Sequence, residues 1–151
     1  MLPFDLYPDR GRELIGRARG ATCRRDYGLT FMRKTGQTGC AYCGTDFSAS
    51  YRSWPTMALD HVVPVSVCIA LAIPEDWRED CSNKVLACAA CNGFHNRYRP
   101  TIEVNQPVTL AAFYDLRDHV FAERRTLIEA SHAAEQEFFE TKPWEQKREP
   151  A

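Results

Sequence analysis

The clearest hydrophobic pattern lies in the C-terminal third of the chain. From position 110, apolar residues recur every three to four positions, which is typical of a helix with one buried face. These residues are Leu110, Phe113, Leu116, Val120, Phe121, Leu127 and Ile128. Thr109 is a suitable N-cap, because its hydroxyl can accept a backbone N–H. The pattern therefore predicts a long helix that ends near Phe139. His119 and His132 lie in it without a companion motif, and we assign both to structure.

Shorter elements are predicted before this helix, with glycines and prolines marking their ends. Apolar residues within 24–34 indicate a short helix, and residues 54–63 an extended segment. Residues 66–73 indicate a second short helix, and residues 83–87 another extended segment. A further helix is expected from position 91 to about position 98, before a proline that cannot continue it.

The chain length and the charge limit the classes of protein to consider. A chain of 151 residues suits one domain, or a core with a helical extension. The net charge of −1 argues against a general polyanion-binding protein. Residues 1–36 have an excess of four positive charges, whereas residues 101–151 have an excess of four negative charges. This uneven distribution of charge is explained equally well by two solvated surfaces of opposite sign and by a basic end that binds nucleic acid.

No targeting segment is evident in the sequence. Charged residues interrupt residues 1–20, where a signal peptide would need an apolar stretch. The longest apolar run, 62–73, contains a proline and a serine and is too short to span a bilayer. We therefore expect a soluble, cytoplasmic protein.

The cysteine spacing is the strongest chemical signal. Two C-x-x-C pairs are formed by Cys40 with Cys43 and by Cys88 with Cys91. Two such pairs supply the closed tetrahedral set of thiolates that structural zinc prefers. A single pair would leave a redox motif as a serious alternative. The remaining cysteines, which we assign to one surface thiol and two core positions, are Cys23, Cys68 and Cys81.

The segment between the cysteine pairs contains a second motif. The relevant residues are LDHVVP at 59–64, NKVLAC at 83–88 and CNGFH at 91–95. In order and local spacing they resemble the HNH endonuclease motif in its four-cysteine form. The resemblance covers about residues 30–99.

The resemblance implies a fold. We expect an α+β protein with a ββα-metal core, in which two strands and a helix surround one catalytic divalent ion. We also expect a structural zinc site formed by four cysteines. One helix should precede the core, and a long helix should follow it. The corresponding segments are a basic segment at 1–23, the nuclease core at 24–100 and a helical extension at 101–151.

The resemblance also implies roles for individual residues. His61 holds the general-base position and would activate water, since an imidazole titrates near neutral pH. Asp60 and His95 hold the ligand positions of a divalent ion, which would act as a Lewis acid. The ion would be Mg²⁺ or another divalent metal (Mn²⁺, Ni²⁺ or Zn²⁺), because a mixed Asp/His site does not select one metal. Asn83 would brace the loop that contains the base. Asn92 would add a ligand or orient a metal-bound water.

Two points of geometry follow. Neighbouring residues of a regular strand point to opposite faces, so Asp60 and His61 can share one site only if the strand bends or ends there. Arg97 and Arg99 would follow His95 on the same helix and could contact phosphates. A solvated helix end, favoured by the helix dipole, explains these arginines as well.

The implied activity is that of a hydrolase cutting phosphodiester bonds in DNA, with double-stranded DNA as substrate. The low net charge leaves room for a protein partner that targets the DNA. The main rival is a non-catalytic zinc module that binds nucleic acid or protein. Such a module would keep the cysteines but would not need Asp60, His61 and His95 together. A thiol redox protein is a second rival and has no use for that set either.

Overall fold

The computed structural model describes residues 2–7, 23–95, 97–101 and 103–145. Most of the basic segment expected at 1–23 lies outside the described residues. The main elements, in chain order, are α1 (Leu29–Thr35), β1 (Met57–His61), α2 (Val65–Ala70), α3 (Glu75–Arg78), β2 (Lys84–Cys88), α4 (Ala89–Phe94) and α5 (Leu110–Glu140). A π-helical segment (Cys23–Gly28) precedes α1, and short 3-10 segments lie at Pro3–Leu6, Trp54–Thr56, Cys81–Asn83 and Pro143–Glu145. The expected mixture of helix and sheet is confirmed.

The two strands form one antiparallel sheet. Met57 pairs with Cys88, and His61 pairs with Lys84, so the end of β1 lies beside the start of β2. A two-stranded sheet is marginal by itself and needs packing partners. Here α4 follows β2 directly and packs against both strands, while the π-helical segment packs against β1. Every residue of β2 is buried.

The long C-terminal helix was predicted closely. Thr109 caps α5, and its hydroxyl accepts the N–H of Ala112 at 3.1 Å. Phe121 and Ile128 pack in the hydrophobic cluster around the sheet, whereas Phe113 and further residues pack in a second cluster with α2. Although α5 has 31 residues, no helix in the described parts of the chain combines the length and apolar character needed to cross a membrane.

Two local predictions were wrong. Residues 54–56 form a 3-10 turn with a proline in its first turn, so β1 starts only at Met57. α4 ends at Phe94 instead of continuing to Tyr98, which places Arg97 and Arg99 beyond the helix. A glycine at position 93 weakens the helix there, and His95 leaves helical geometry with φ −129°. The short helix α3 was not expected.

Candidate functional site

The four cysteines of the two C-x-x-C pairs converge on one point. Their sulfur atoms all lie within 4.8 Å of one another. The sulfurs of Cys43 and Cys88 are 3.7 Å apart, too far for a disulfide, which needs about 2.0 Å. Two thiolates bound to one tetrahedral zinc at about 2.3 Å lie about 3.8 Å from each other. The cluster therefore could hold a metal ion such as zinc.

Backbone hydrogen bonds shape the first cysteine pair. The N–H of Gly44 donates to the carbonyl of Cys40, and the N–H of Cys40 donates to the carbonyl of Thr45, both at 2.9 Å. Gly44 has a φ of +79°, which favours glycine. The N–H of Ala41 donates to the carbonyl of Leu86 at 2.9 Å, which fastens the turn to β2. This turn thus delivers both thiols beside the end of β2.

The cluster is electrostatically unfavourable for thiolates without a cation. Burial raises the pKa of Cys40 to about 11. Burial and then the charge of Cys40 raise the pKa of Cys91 well above its usual range. Burial also opposes ionisation of Cys43, but hydrogen bonds from Thr45 and neighbouring thiols outweigh it and lower that pKa to about 7. Four thiolates therefore need a bound positive ion to coexist here.

His132, which the sequence analysis assigned to structure, lies at this cluster. Its Nε2 is 3.0 Å from the sulfur of Cys91, and its ring packs edge-on against Phe94 with centroids 4.9 Å apart. The two partners are 41 residues apart in sequence, so no local motif indicates the contact. His119, in contrast, pairs with Glu123 on the same helix at 3.3 Å.

Asp60 and His61 have separate partners, as the alternation of a strand dictates. Oδ2 of Asp60 accepts the hydroxyl of Tyr42 at 3.0 Å and an N–H of Arg124 at 2.9 Å. Nε2 of His61 lies 2.9 Å from Oε2 of Glu79. The side chain of Asp60 is 11% exposed and that of His61 is 23% exposed. The strand does end at His61, but the two side chains point to different surroundings.

Glu79 is the residue that the sequence reasoning missed at this site. Its side chain is buried and also contacts Arg78 at 3.1 Å and Lys84 at 3.4 Å. Burial alone would raise the pKa of Glu79, but the hydrogen bond and charge of His61, followed by Arg78 and Lys84, lower it to about 2. In the neutral imidazole, this carboxylate would accept Nε2–H of His61 and the ring lone pair would lie on Nδ1. Nothing in the acidic run around position 79 marks this residue.

Asn83 connects the loop after β1 to the segment before β2. Its Oδ1 accepts the N–H of Val63 at 3.0 Å, and its Nδ2 donates to the carbonyls of Val63 and Arg78 at 3.2 and 3.0 Å. The backbone carbonyl of Asn83 also accepts the N–H of Val62 at 2.8 Å. These bonds fix the backbone just after His61, which matches the bracing that the resemblance implies. Its contribution to catalysis stays a prediction.

His95 faces the long helix. Its Nε2 lies 3.1 Å from the hydroxyl oxygen of Ser131, and that hydroxyl donates to the carbonyl of Leu127 at 3.0 Å. With the Ser131 proton donated to Leu127, a neutral His95 would donate its Nε2–H to the hydroxyl oxygen and keep its lone pair on Nδ1. Asn92 is half-buried on α4. Among the residues described, the cysteines are the one group of three or more Cys, His, Asp or Glu ligands close enough for an ion.

The two candidate phosphate contacts are exposed. Arg97 lies in a turn after α4, and Arg99 donates to the hydroxyl of Ser66 at 2.8 Å and to the carbonyl of Tyr98 at 3.2 Å. Arg99 is therefore partly fixed against α2. The ion expected at Asp60 and His95 and the phosphate contacts expected here both stay predictions.

Comparison with known proteins adds no relative. No protein-family model, no curated protein and no solved structure matches the chain. The likeness to HNH endonucleases therefore depends on the motif residues and on the contacts they make.

Proposed function

We propose that the protein is a metal-dependent HNH-type endonuclease that hydrolyses phosphodiester bonds in DNA. The pairing of His61 with Glu79 supports this proposal most directly. A buried carboxylate holds one imidazole nitrogen at 2.9 Å, while the side chain of His61 remains 23% exposed. An imidazole oriented in this way can take a proton from water through its other nitrogen.

The remaining site residues would either bind the divalent ion or hold the general base in position. One oxygen of Asp60 is occupied by Tyr42 and Arg124, and its Oδ1 is the atom proposed to bind a divalent ion together with Nδ1 of His95. Asn92 would add a ligand or orient a bound water. The ion, Mg²⁺ or another divalent metal, would supply positive charge for the phosphate oxygens and the leaving oxygen. Asn83 holds the backbone that follows the base.

The cysteine cluster is proposed to hold a structural zinc. Its four sulfur ligands leave no open position for a substrate, which distinguishes it from a catalytic centre. The cluster also joins the first cysteine turn to β2 and α4, so bound zinc would contribute folding free energy.

The exposed Arg97 and Arg99 would contact DNA phosphates. Because the net charge of the chain is low, a second protein could help to target it to DNA.

The test is cleavage of plasmid DNA, single-stranded DNA and RNA by the full chain with Mg²⁺ or Mn²⁺. His61→Ala should reduce the rate by roughly 10²- to 10⁴-fold, because proton transfer is lost, and should leave the zinc content unchanged. His119→Ala is the matched control, since that histidine pairs with Glu123 at the helix surface. Mild chelation should stop cleavage, and Mg²⁺ should restore it. Cleavage by His61→Ala at the wild-type rate would overturn the assignment.

A non-catalytic zinc module is the second candidate, and the ion pair of Asp60 with Arg124 favours it. An aspartate neutralised from within the fold has a structural role that needs no metal. This candidate predicts no cleavage with any metal, together with binding of nucleic acid or protein that is unaffected by Asp60→Asn or His95→Ala. Finding cleavage that responds to His61 and to divalent ions excludes it.

A further inference from the structure

One face of α5 contacts both candidate sites. Arg124 binds Asp60, Ser131 binds His95, and His132 binds the sulfur of Cys91. His132 is half-buried, whereas positions 133–140 are exposed. His132 is therefore the last residue of this helix that is not exposed, and it contacts a candidate zinc ligand.

The distance separates a hydrogen bond from metal ligation. If His132 and Cys91 both bound one tetrahedral ion, at about 2.0 and 2.3 Å, their nitrogen and sulfur atoms would be about 3.5 Å apart. The observed separation is 3.0 Å. The shorter distance fits a hydrogen bond between the ring nitrogen and the sulfur, and the four cysteines complete the ligand set without the histidine.

We propose that His132 donates its Nε2–H to the thiolate of Cys91 and thereby retains the metal, without binding the metal itself. The proposal depends on the zinc site proposed above. It assigns His132 a positioning role at the metal centre that no local motif indicates. It also makes docking of α5 a condition for tight zinc binding.

The expected effect follows from the charge on the sulfur. Cys91 is fully buried, so water cannot solvate its thiolate, and a hydrogen-bond donor replaces that solvation. Without the donor, the buried charge on the sulfur loses a stabilising partner, and the metal should be released faster. Groups that hydrogen-bond to metal ligands typically change metal affinity by about 10- to 100-fold.

The experiment measures zinc release from the purified full chain to an excess of a colorimetric chelator. His132→Phe keeps the aromatic contact with Phe94 but has no donor, and it should release zinc at least about 10-fold faster than wild type. His132→Gln places a donor near the same position and should recover part of the loss. His119→Phe, on the exposed side of the same helix, should release zinc within about twofold of wild type.

Two spectroscopic measurements test the hydrogen bond independently of stability. Nitrogen NMR of histidine-labelled, zinc-loaded wild type should show His132 protonated at Nε2, with His132→Gln used to assign the signal. In cobalt-substituted protein, the thiolate charge-transfer band should shift to longer wavelength in His132→Phe, because the sulfur electrons are held less tightly.

The outcomes separate this proposal from the zinc assignment on which it depends. Wild-type protein that binds no zinc would overturn both. A zinc-loaded wild type in which Nε2 of His132 is unprotonated or metal-bound would overturn the hydrogen bond alone, even if His132→Phe fails to fold. Zinc release from a folded His132→Phe at the wild-type rate would have the same consequence.

Discussion

Tyr42, which lies within the first C-x-x-C pair, donates its hydroxyl to Oδ2 of Asp60 over 3.0 Å. Its ring stacks on Phe121 with centroids 5.3 Å apart and an interplanar angle of 22°. Burial, followed by the charge of Asp60, raises the pKa of Tyr42 well above its usual range, so the phenol remains a donor. The candidate zinc turn and the candidate catalytic strand are therefore joined by one side chain.

We expect Tyr42→Phe to weaken this connection while preserving the stacked ring. Loss of one buried hydrogen bond should lower the free energy of unfolding by about 1 kcal/mol, as measured by urea denaturation. Zinc content should not change, because the cysteines stay in place. Tyr51→Phe is the control, since Tyr51 is 84% exposed and should show no loss. Equal stabilities for the two variants would contradict a structural role for the Tyr42 hydroxyl.

Local patterns in the sequence were sufficient to predict several elements. The helix at residues 110–140 follows from its apolar spacing and from the cap at Thr109, and the cysteine cluster follows from the two C-x-x-C pairs. The helix signal and each C-x-x-C pair arise from residues close together in sequence, although the two pairs that meet are 45 positions apart. The end of α4 was missed because His95 turns toward Ser131 on α5, a contact between residues 36 positions apart.

The contacts at Asp60 and His61 could not be predicted, because their partners come from distant segments. Glu79 is 18 residues from His61. Arg124 occupies the buried face of α5, where the apolar pattern leaves a gap, and an arginine there would normally be assigned to solvent. A charged residue in register with a buried helical face is the signal that could have indicated an internal ion pair.

The acid stability of the protein should depend on Glu79. Its pKa is lowered from 4.5 to about 2 in the folded protein, so its ionised form stabilises the fold at pH values above 4.5. As the pH falls from 4.5 toward 2, that contribution is lost, because the folded state must take up a proton that the unfolded state already binds. The groups that face this carboxylate include His61, Arg78 and Lys84.

Glu79→Gln should therefore be less stable than wild type near neutral pH and should lose less stability on acidification. The measurement is the free energy of unfolding from urea titrations at several pH values between 5 and 2. Any loss of zinc from the cysteine cluster at low pH should affect wild type and Glu79→Gln equally. Glu75→Gln is the control, because Glu75 is 70% exposed although it also contacts Arg78. Parallel curves for wild type and Glu79→Gln would show that the carboxylate does not contribute.

Asn83→Ala should be among the most destabilising single changes in the described core. It removes an acceptor and two donated hydrogen bonds at a fully buried position. Unsatisfied buried groups cost about 1–3 kcal/mol each, and partial relaxation leaves an expected loss of about 2–4 kcal/mol. Asn92→Ala, at a half-buried position on α4, should cost less than about 1 kcal/mol. Comparable losses in the two variants would remove the argument that Asn83 fixes the loop after β1.

Arg124 is expected to be the most important polar anchor of α5. Its side chain is 2% exposed, and the same nitrogen lies 2.9 Å from Oδ2 of Asp60 and from the carbonyls of His61 and Val62. Burial alone would lower the pKa of Arg124, but Asp60 and then Tyr42 raise it, so the guanidinium stays charged. Its removal would leave an aspartate with little exposure to water and without its counter-charge.

Arg124→Met should therefore reduce the free energy of unfolding by about 3–5 kcal/mol, the cost of breaking a buried ion pair from one side. Arg125→Met is the matched control, because Arg125 is 47% exposed and its ion pair is with Glu129 on the same helix; it should change stability by less than about 0.5 kcal/mol. The double variant with Asp60→Asn tests the cause, because removing the unpaired charge should recover part of the loss. A double-mutant cycle from urea titrations gives the coupling between the two residues. If the two losses of stability add strictly, Arg124 stabilises the fold only through its bonds to the carbonyls of His61 and Val62. Asp60 would then be available to an ion without competition from the guanidinium.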